Sequence, residues 1–204
     1  AALQRANIPL AIPAAQLFID NDDSQRRAQK EQKNLLKRIN ALNQLDFLAG
    51  LNEDERTILA HGLQPVLYSK GENIMVQNDT ANWLYILTEG SAEVWVEAGG
   101  EKSKVANIIS PTFVGEMGLM TGAPRTATIV ATSDVYSYRL HRDEFQKVIL
   151  QRPSIIKKIS EILAVREVET NATKNRLNAA AKNQKIAQTS VHMLTKISTF
   201  FGLD

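Results

Sequence analysis

Residues 113–131 contain several groups suited to hold a charged small molecule, and they read FVGEMGLMTGAPRTATIVA. Gly115 and Gly118 let the backbone approach a ligand closely, and amide groups at the start of a short helix attract an anion. Arg125 offers a planar guanidinium that fits a phosphate. Glu116 suits a sugar hydroxyl, as an acid does on ribose in dinucleotide sites. Together these groups predict a ribose monophosphate as ligand.

The same segment has no general base beside a nucleophile, so it predicts binding rather than catalysis, and we assign no catalytic residue. His61, His141 and His192 are too scattered for a metal site, and we expect no metal or cofactor. The absence of cysteine excludes a disulfide framework and favours a reducing compartment. Simpler roles remain open for two residues: a surface ion pair for Arg125 and a helix N-terminal charge for Glu116.

The composition is that of a globular chain: 204 residues, 44% hydrophobic and 23% charged. Its 24 basic and 22 acidic residues give a net charge of +2, too balanced to indicate nucleic acid as a partner. The apolar stretch 8–19 is short and contains two prolines, so it is neither a membrane span nor a signal peptide. We interpret residues 1–23 as the end of an upstream domain or a linker. The chain is then either an excised fragment or one that has lost its initiator methionine.

Residues 24–64 have the pattern of linker helices. The first is predicted over 24–44, with apolar positions in its second half only. These positions are Leu35, Leu36, Ile39 and Leu42. The second runs from Asn52 to about Leu63, with Asn52 as N-cap and Glu55 at the capping-box position.

Residues 65–140 change to a period of two and form short segments divided by glycine-containing turns, which indicates an antiparallel barrel. Residues 141–170 return to helical periodicity: one helix over 142–152 is stopped by Pro153, and a longer one follows. The segment 171–204 is predicted to be a helical tail. Its late apolar cluster either docks a partner or packs back on its own domain.

This pattern resembles the cyclic nucleotide-binding domain family, over about residues 45–169. The family's phosphate-binding cassette has Phe-Gly-Glu, a few small or apolar residues, and then Pro-Arg-x-Ala-Thr. The matching residues here are Gly115, Glu116, Met117, Gly118, Pro124, Arg125, Thr126, Ala127 and Thr128. Val114 is inserted between Phe113 and Gly115, and the order around Glu116 and Arg125 is intact.

The resemblance implies a mainly β fold with flanking α-helices. Its centre is an antiparallel jelly-roll barrel over 65–140, preceded by linker helices and followed by hinge and lid helices over 141–170. It also implies cyclic AMP or cyclic GMP as ligand, bound by part of the cassette. The ligand-binding residues implied are Gly115, Glu116, Met117, Gly118, Arg125, Thr126 and Ala127.

Further roles follow from the same resemblance. Thr126 is associated with acceptance of the guanine analogue, so both nucleotides are expected to bind with modest discrimination. Arg166 or Glu167 is expected to reach the purine from the lid helix, with Phe145 and Ile149 packing at its hinge.

The flanking segments bear on what the domain regulates. The tail has no winged helix-turn-helix pattern, one cassette is present instead of two, and there is no room for a catalytic domain. Residues 3–19 resemble the closing segment of the cytoplasmic domain of small-conductance mechanosensitive channels.

We therefore expect a cytoplasmic domain of an inner-membrane channel subunit, oligomeric through that channel and gated by the nucleotide. The alternatives are a stand-alone regulator acting on a partner, and a structural barrel that has lost its ligand.

Overall fold

The computed structural model describes residues 24–175 and 179–203 of the chain. Two compact units divide the sequence, residues 1–32 and residues 33–204. In the first unit, the described residues 24–32 are exposed and helical. The end of an upstream domain or linker predicted over 1–23 lies outside the described residues.

Two helices precede the sheets: α1 (Ser24–Leu42) and α2 (Glu53–Gly62), with a 3-10 turn (Asp46–Leu48) between them. The helix predicted over 24–44 thus ends two residues earlier. Leu42 is fully buried, but Leu36, predicted on the same apolar stripe, is 56% exposed. Consecutive helical residues point about 100° apart, so Leu35 and Leu36 do not share one face.

The predicted capping box at the start of α2 is present. The Asn52 side chain accepts a hydrogen bond from the Glu55 amide at 2.9 Å, and the Glu55 carboxylate accepts one from the Asn52 amide at 2.8 Å. Glu55 is buried, and Arg152 Nη1 donates to its Oε2 at 3.0 Å. The capping acid therefore also ties α2 to Arg152, the residue that directly follows a later helix.

Eight antiparallel strands form two four-stranded sheets. They are β1 (Gln64–Tyr68), β2 (Asn73–Met75), β3 (Trp83–Glu89), β4 (Ser91–Ala98), β5 (Glu101–Ile109), β6 (Thr112–Val114), β7 (Thr128–Ala131) and β8 (Val135–His141). The first sheet has the order β1-β8-β3-β6 and the second β2-β7-β4-β5. A short helix, α3 (Glu116–Thr121), joins β6 to β7. This is the antiparallel jelly-roll arrangement expected from the sequence.

Apolar side chains cover both faces of the first sheet. Between the sheets lies an inner cluster, which consists of Ile74, Tyr85, Leu87, Ala92, Ile129, Ala131 and Val135. On the opposite face, Leu84, Ile86 and Leu140 pack beneath the helices in a larger helix-side core. Strand β3 is therefore apolar on both faces, and all its residues from 84 to 87 are buried.

Three helices follow the barrel: α4 (Arg142–Gln151), α5 (Ser154–Asn175) and α6 (Ala179–Phe201). Helix α5 continues past residue 170, where the helical tail was predicted to begin, and ends at Asn175. The helical pattern contains no proline or glycine there to end it. The late apolar cluster packs back on its own domain, where Met193, Ile197 and Phe201 are buried in the helix-side core.

In the described part of the chain, no helix combines the length and the apolar character that a bilayer span requires.

The capping box gives a first prediction. Asn52→Ala removes the acceptor for the Glu55 amide, so we expect the free energy of unfolding to fall by about 1 kcal/mol. The measurement is a urea titration followed by circular dichroism. Asn40→Ala, at an exposed position of α1, is the matched control and should change stability little. Equal losses in the two variants would contradict the role of the cap.

Candidate functional site

The turn between β6 and α3 is made by a glycine for two separate reasons. Gly115 has a φ of +85°, a left-handed conformation that disfavours a side chain. A Cβ at this position would also overlap Nη1 of Arg125 and lie 3.1 Å from the carbonyl oxygen of Trp83. The close approach predicted for Gly115 is therefore an approach to the protein's own arginine and strand β3.

Arg125 is held inside the protein. Its side chain is 5% exposed, Nη1 donates to the Gly115 carbonyl at 3.0 Å, and Nη2 donates to the Trp83 carbonyl. The guanidinium carbon lies 5.6 Å from the ring centroid of Tyr85, an aromatic contact that also stabilises a cation. Arg125 thus connects the cassette to the beginning of β3, and it is not a surface ion-pair partner.

The backbone around Arg125 is fixed as firmly as its side chain. Its amide donates to the Asp79 carbonyl at 3.0 Å, and its carbonyl accepts from the Asn78 amide at 2.9 Å. Asn78 has a φ of +70°, a turn conformation that asparagine tolerates better than most residues. The loop between β2 and β3 therefore sets where the guanidinium emerges.

Burial lowers the pKa of the Arg125 guanidinium, while Tyr85, Glu116 and Asp79 act in the opposite direction. An arginine keeps its charge under such conditions, because its ordinary pKa lies far above neutrality. Glu116, the first residue of α3, is half-buried and close enough to contribute to this balance. The site therefore combines a fixed positive charge with a carboxylate beside it.

The other predicted cassette residues have different surroundings. Met117 is half-buried against the helix-side core, and Ala127 is buried, whereas Thr126 is exposed. Gly118 is buried, and a Cβ there would overlap the Ala81 side chain. The structure thus brings Gly115, Glu116, Gly118 and Arg125 together, and it places Met117 and Ala127 in packing positions.

The lid prediction falls on α5. Glu167 is half-buried there, and the Arg166 side chain lies outside the described residues. The hinge residues Phe145 and Ile149 are fully buried in the helix-side core. Helix α5 makes its main contacts with the 3-10 turn and with α6. The role of Arg166 and Glu167 at a purine stays a prediction.

Helix α6 packs directly on the cassette helix α3. Gly122, which ends α3 with a φ of +69°, faces the ring of Phe200: a Cβ would come within 2.7 Å of its Cδ2 atom. The guanidinium of Arg142 lies 5.2 Å from the centroid of the same ring. The end of the chain is therefore in contact with the element that carries the candidate ligand groups.

Sequence reasoning missed Trp83 and Tyr85, which surround Arg125. Both lie in a strand that is apolar on both faces, and its sequence gives no sign of a polar role. Trp83 takes part through its backbone carbonyl and Tyr85 through its position in the strand. Residue type alone predicts neither contact.

A family profile and two curated relatives match this chain. The profile of the cyclic nucleotide-binding domain covers residues 65–152. A cAMP-dependent protein kinase regulatory subunit of Dictyostelium discoideum is 27% identical over 122 residues, 59% of this chain and 37% of the relative. A protein of the same description from Colletotrichum orbiculare is 32% identical over 108 residues, 53% of this chain and 27% of the relative. The match therefore spans about a third of the length of these relatives.

Solved structures share the fold. The regulatory domain of Toxoplasma gondii protein kinase A, crystallised with cAMP, is 24% identical with a TM-score of 0.55, covering 59% of this chain and 47% of the other. The regulatory subunit of a cAMP-independent protein kinase A from Trypanosoma cruzi, bound to guanosine, is 31% identical with a TM-score of 0.52, covering 58% and 43%. These likenesses confirm the predicted jelly-roll fold class.

The contact between α3 and α6 gives a second prediction. Gly122→Ala forces a methyl group into the Phe200 ring in addition to the strain of a positive φ. We expect the variant to lose about 2 to 4 kcal/mol of stability, measured by thermal and urea unfolding.

Gly71→Ala is the matched control, because Gly71 has a φ of +92° with open space around the added Cβ. It should lose only the conformational part, about 1 to 2 kcal/mol. If Gly122→Ala and Gly71→Ala lose the same amount of stability, the contact between Phe200 and Gly122 does not contribute as described.

Proposed function

We propose that this chain binds a cyclic nucleotide and passes its presence to a regulated partner, because residues 65–152 match the profile of the cyclic nucleotide-binding domain. The observation that carries the proposal is the buried guanidinium of Arg125 at the Gly115 turn, with Glu116 beside it. A planar cation fits the cyclic phosphate, and a neighbouring carboxylate accepts a hydrogen bond from a ribose hydroxyl. Cyclic AMP and cyclic GMP both satisfy this chemistry.

The relatives of this chain also bear on the kind of partner that it regulates. The two curated relatives are regulatory subunits of protein kinases, which supports a regulator that acts on another protein. This favours the alternative of a regulatory protein over the predicted channel subunit. The channel expectation rests on residues 3–19, which lie outside the described residues. The curated relatives named above are described as kinase regulatory subunits and not as channels.

A second candidate ligand is a nucleoside without phosphate. Two observations favour it: both terminal nitrogens of Arg125 already donate to backbone carbonyls, and the Trypanosoma cruzi structure holds guanosine. The two ligand classes differ by the phosphate, so titration with guanosine and with cyclic GMP separates them. We expect cyclic GMP to bind more tightly, since a buried guanidinium is matched by an anion.

Arg125 supplies a third prediction. Replacing it by alanine leaves the phosphate without its cation and should weaken binding by about 2 to 5 kcal/mol in calorimetric titrations with cyclic AMP and cyclic GMP. The variant also leaves the Gly115 and Trp83 carbonyls without a donor, so we expect a lower melting temperature.

Arg125→Lys keeps the charge but loses the planar fork, and it separates the two effects. It should stay folded and still lose affinity. Lys104→Ala, at an exposed position of β5, removes one charge outside the cassette and is the control. Unchanged affinity in a folded Arg125→Lys protein would assign the phosphate to another place.

The contact of α6 with α3 indicates how occupancy could be transmitted. A ligand shifts a conformational equilibrium only through its different affinity for two states. We propose that nucleotide bound at the cassette changes the packing of Phe200 on α3, with α5 as the helix against which α6 is held.

Hydrogen exchange tests this transmission as a fourth prediction. Cyclic nucleotide should change exchange in residues 115–128 and, together with them, in residues 191–201 of α6. The predicted lid, residues 155–168, should become more protected if Arg166 or Glu167 reaches the base. A change limited to residues 115–128 would show that neither helix responds.

A further inference from the structure

A row of side chains crosses the inner face of the first sheet at the level of the candidate site. In the strand register, Gln64 lies opposite Arg139, Arg139 opposite Tyr85, and Tyr85 opposite Val114. Directly opposite residues project to the same face of a sheet. Tyr85 belongs to the inner cluster and lies next to the Arg125 guanidinium, so Arg139 shares that face. A second arginine therefore lies one strand away from the first.

The Arg139 guanidinium is held in place from two sides. Its central carbon lies 4.2 Å from the ring centroid of Trp83, and its Nε donates to Oε1 of Gln64 at 3.1 Å. Trp83 also supplies the carbonyl that accepts a hydrogen bond from Arg125. One residue thus positions both guanidinium groups, one through its backbone and the other through its ring.

Among residues 24–175 and 179–203, no acid forms an ion pair with Arg139, and no acceptor is found for its two Nη atoms. Nearby acids pair elsewhere: Asp143 with His141 and Arg142, and Glu144 with Lys147. The terminal edge of the guanidinium keeps two parallel donors for an external acceptor pair.

There is room for a planar group beside Gln64 and Trp83, the two residues that hold Arg139. An open groove of about 520 Å³ is lined by Gln64 and Trp83, both partners of Arg139, and by His141, whose ring meets Trp83 edge-on at 4.5 Å. Its volume falls in the range of small-ligand sites. Aromatic rings and arginine planes are the surfaces on which proteins stack nucleic-acid bases.

We propose that Arg139 is a specificity-determining residue of the ligand site and that it selects guanine over adenine by donating two hydrogen bonds to O6 and N7. The proposal rests on the nucleotide-binding function proposed above. Guanine presents two acceptors along this edge, whereas adenine presents N7 and the N6 amino donor. Two parallel donors of an arginine match guanine and meet a donor on adenine.

The O6 and N7 edge of guanine lies opposite the 2-amino edge, which is the one associated with Thr126. A hydroxyl that recognises the 2-amino group distinguishes guanine from hypoxanthine, but O6 and N7 are common to both bases. Cyclic IMP, which carries hypoxanthine, therefore separates recognition by Arg139 from recognition by Thr126.

The test is calorimetric titration of the whole chain with cyclic GMP, cyclic IMP and cyclic AMP. For the unmodified protein, cyclic GMP and cyclic IMP should both bind about tenfold more tightly than cyclic AMP. In Arg139→Gln this ratio should fall to about two. Arg139→Lys keeps the charge without the fork and should also lose most of the preference. Lys104→Gln, with the same loss of charge elsewhere, should keep it.

The outcomes are distinguishable. Equal affinity for cyclic GMP and cyclic AMP in the unmodified protein overturns the inference, as does a preference that persists in folded Arg139→Gln and Arg139→Lys. If cyclic IMP binds like cyclic AMP, the 2-amino edge is recognised and Arg139 is not the determinant. If a folded, unmodified chain binds none of the three, the proposed function fails first and this inference fails with it.

Discussion

The site depends on one buried cation whose hydrogen bonds are satisfied by the backbone. Arg125 donates to the carbonyls of Gly115 and Trp83, which are 10 and 42 positions away in sequence. A buried charge is tolerated only where its donors find acceptors, so these two bonds fix the distance between the cassette turn and strand β3. The glycine at 115 is a consequence of the same geometry, because a side chain there would occupy the space of the guanidinium.

This arrangement links ligand binding to conformation. The Gly115 and Trp83 carbonyls take one N–H from each terminal nitrogen of Arg125, so the remaining donors can meet a phosphate while the guanidinium stays anchored to the backbone. Any adjustment of the Gly115 carbonyl acts at the first turn of α3. The far end of α3 is Gly122, which rests against Phe200 of the last helix. Because helix α3 is only six residues long, it couples the candidate ligand groups closely to the packing of the last helix.

Much of this could be predicted from sequence where the signal is local. The cassette motif located Gly115 and Arg125, and the capping residues located the start of α2. The prediction failed at Leu36, which was placed on the apolar stripe but is exposed, and helix α5 continues past residue 170 to Asn175. Arg139 gave no signal at all, because its partner Gln64 is 75 positions away and is brought near by strand register.

Two tyrosines between the sheets form an aromatic floor for the barrel. They explain why the positive charges of Arg125 and Arg139 are not neutralised from that side. Tyr85 and Tyr68 meet edge to face beneath them, with ring centroids 6.3 Å apart. Burial, together with the neighbouring Tyr85, raises the pKa of Tyr68 to about 12, so this phenol stays neutral at physiological pH. A carboxylate in its place would neutralise the guanidinium groups from below. With a neutral aromatic floor, negative charge near Arg125 comes from Glu116 and Asp79, and a nucleotide would add an anionic phosphate and acceptor atoms on its base.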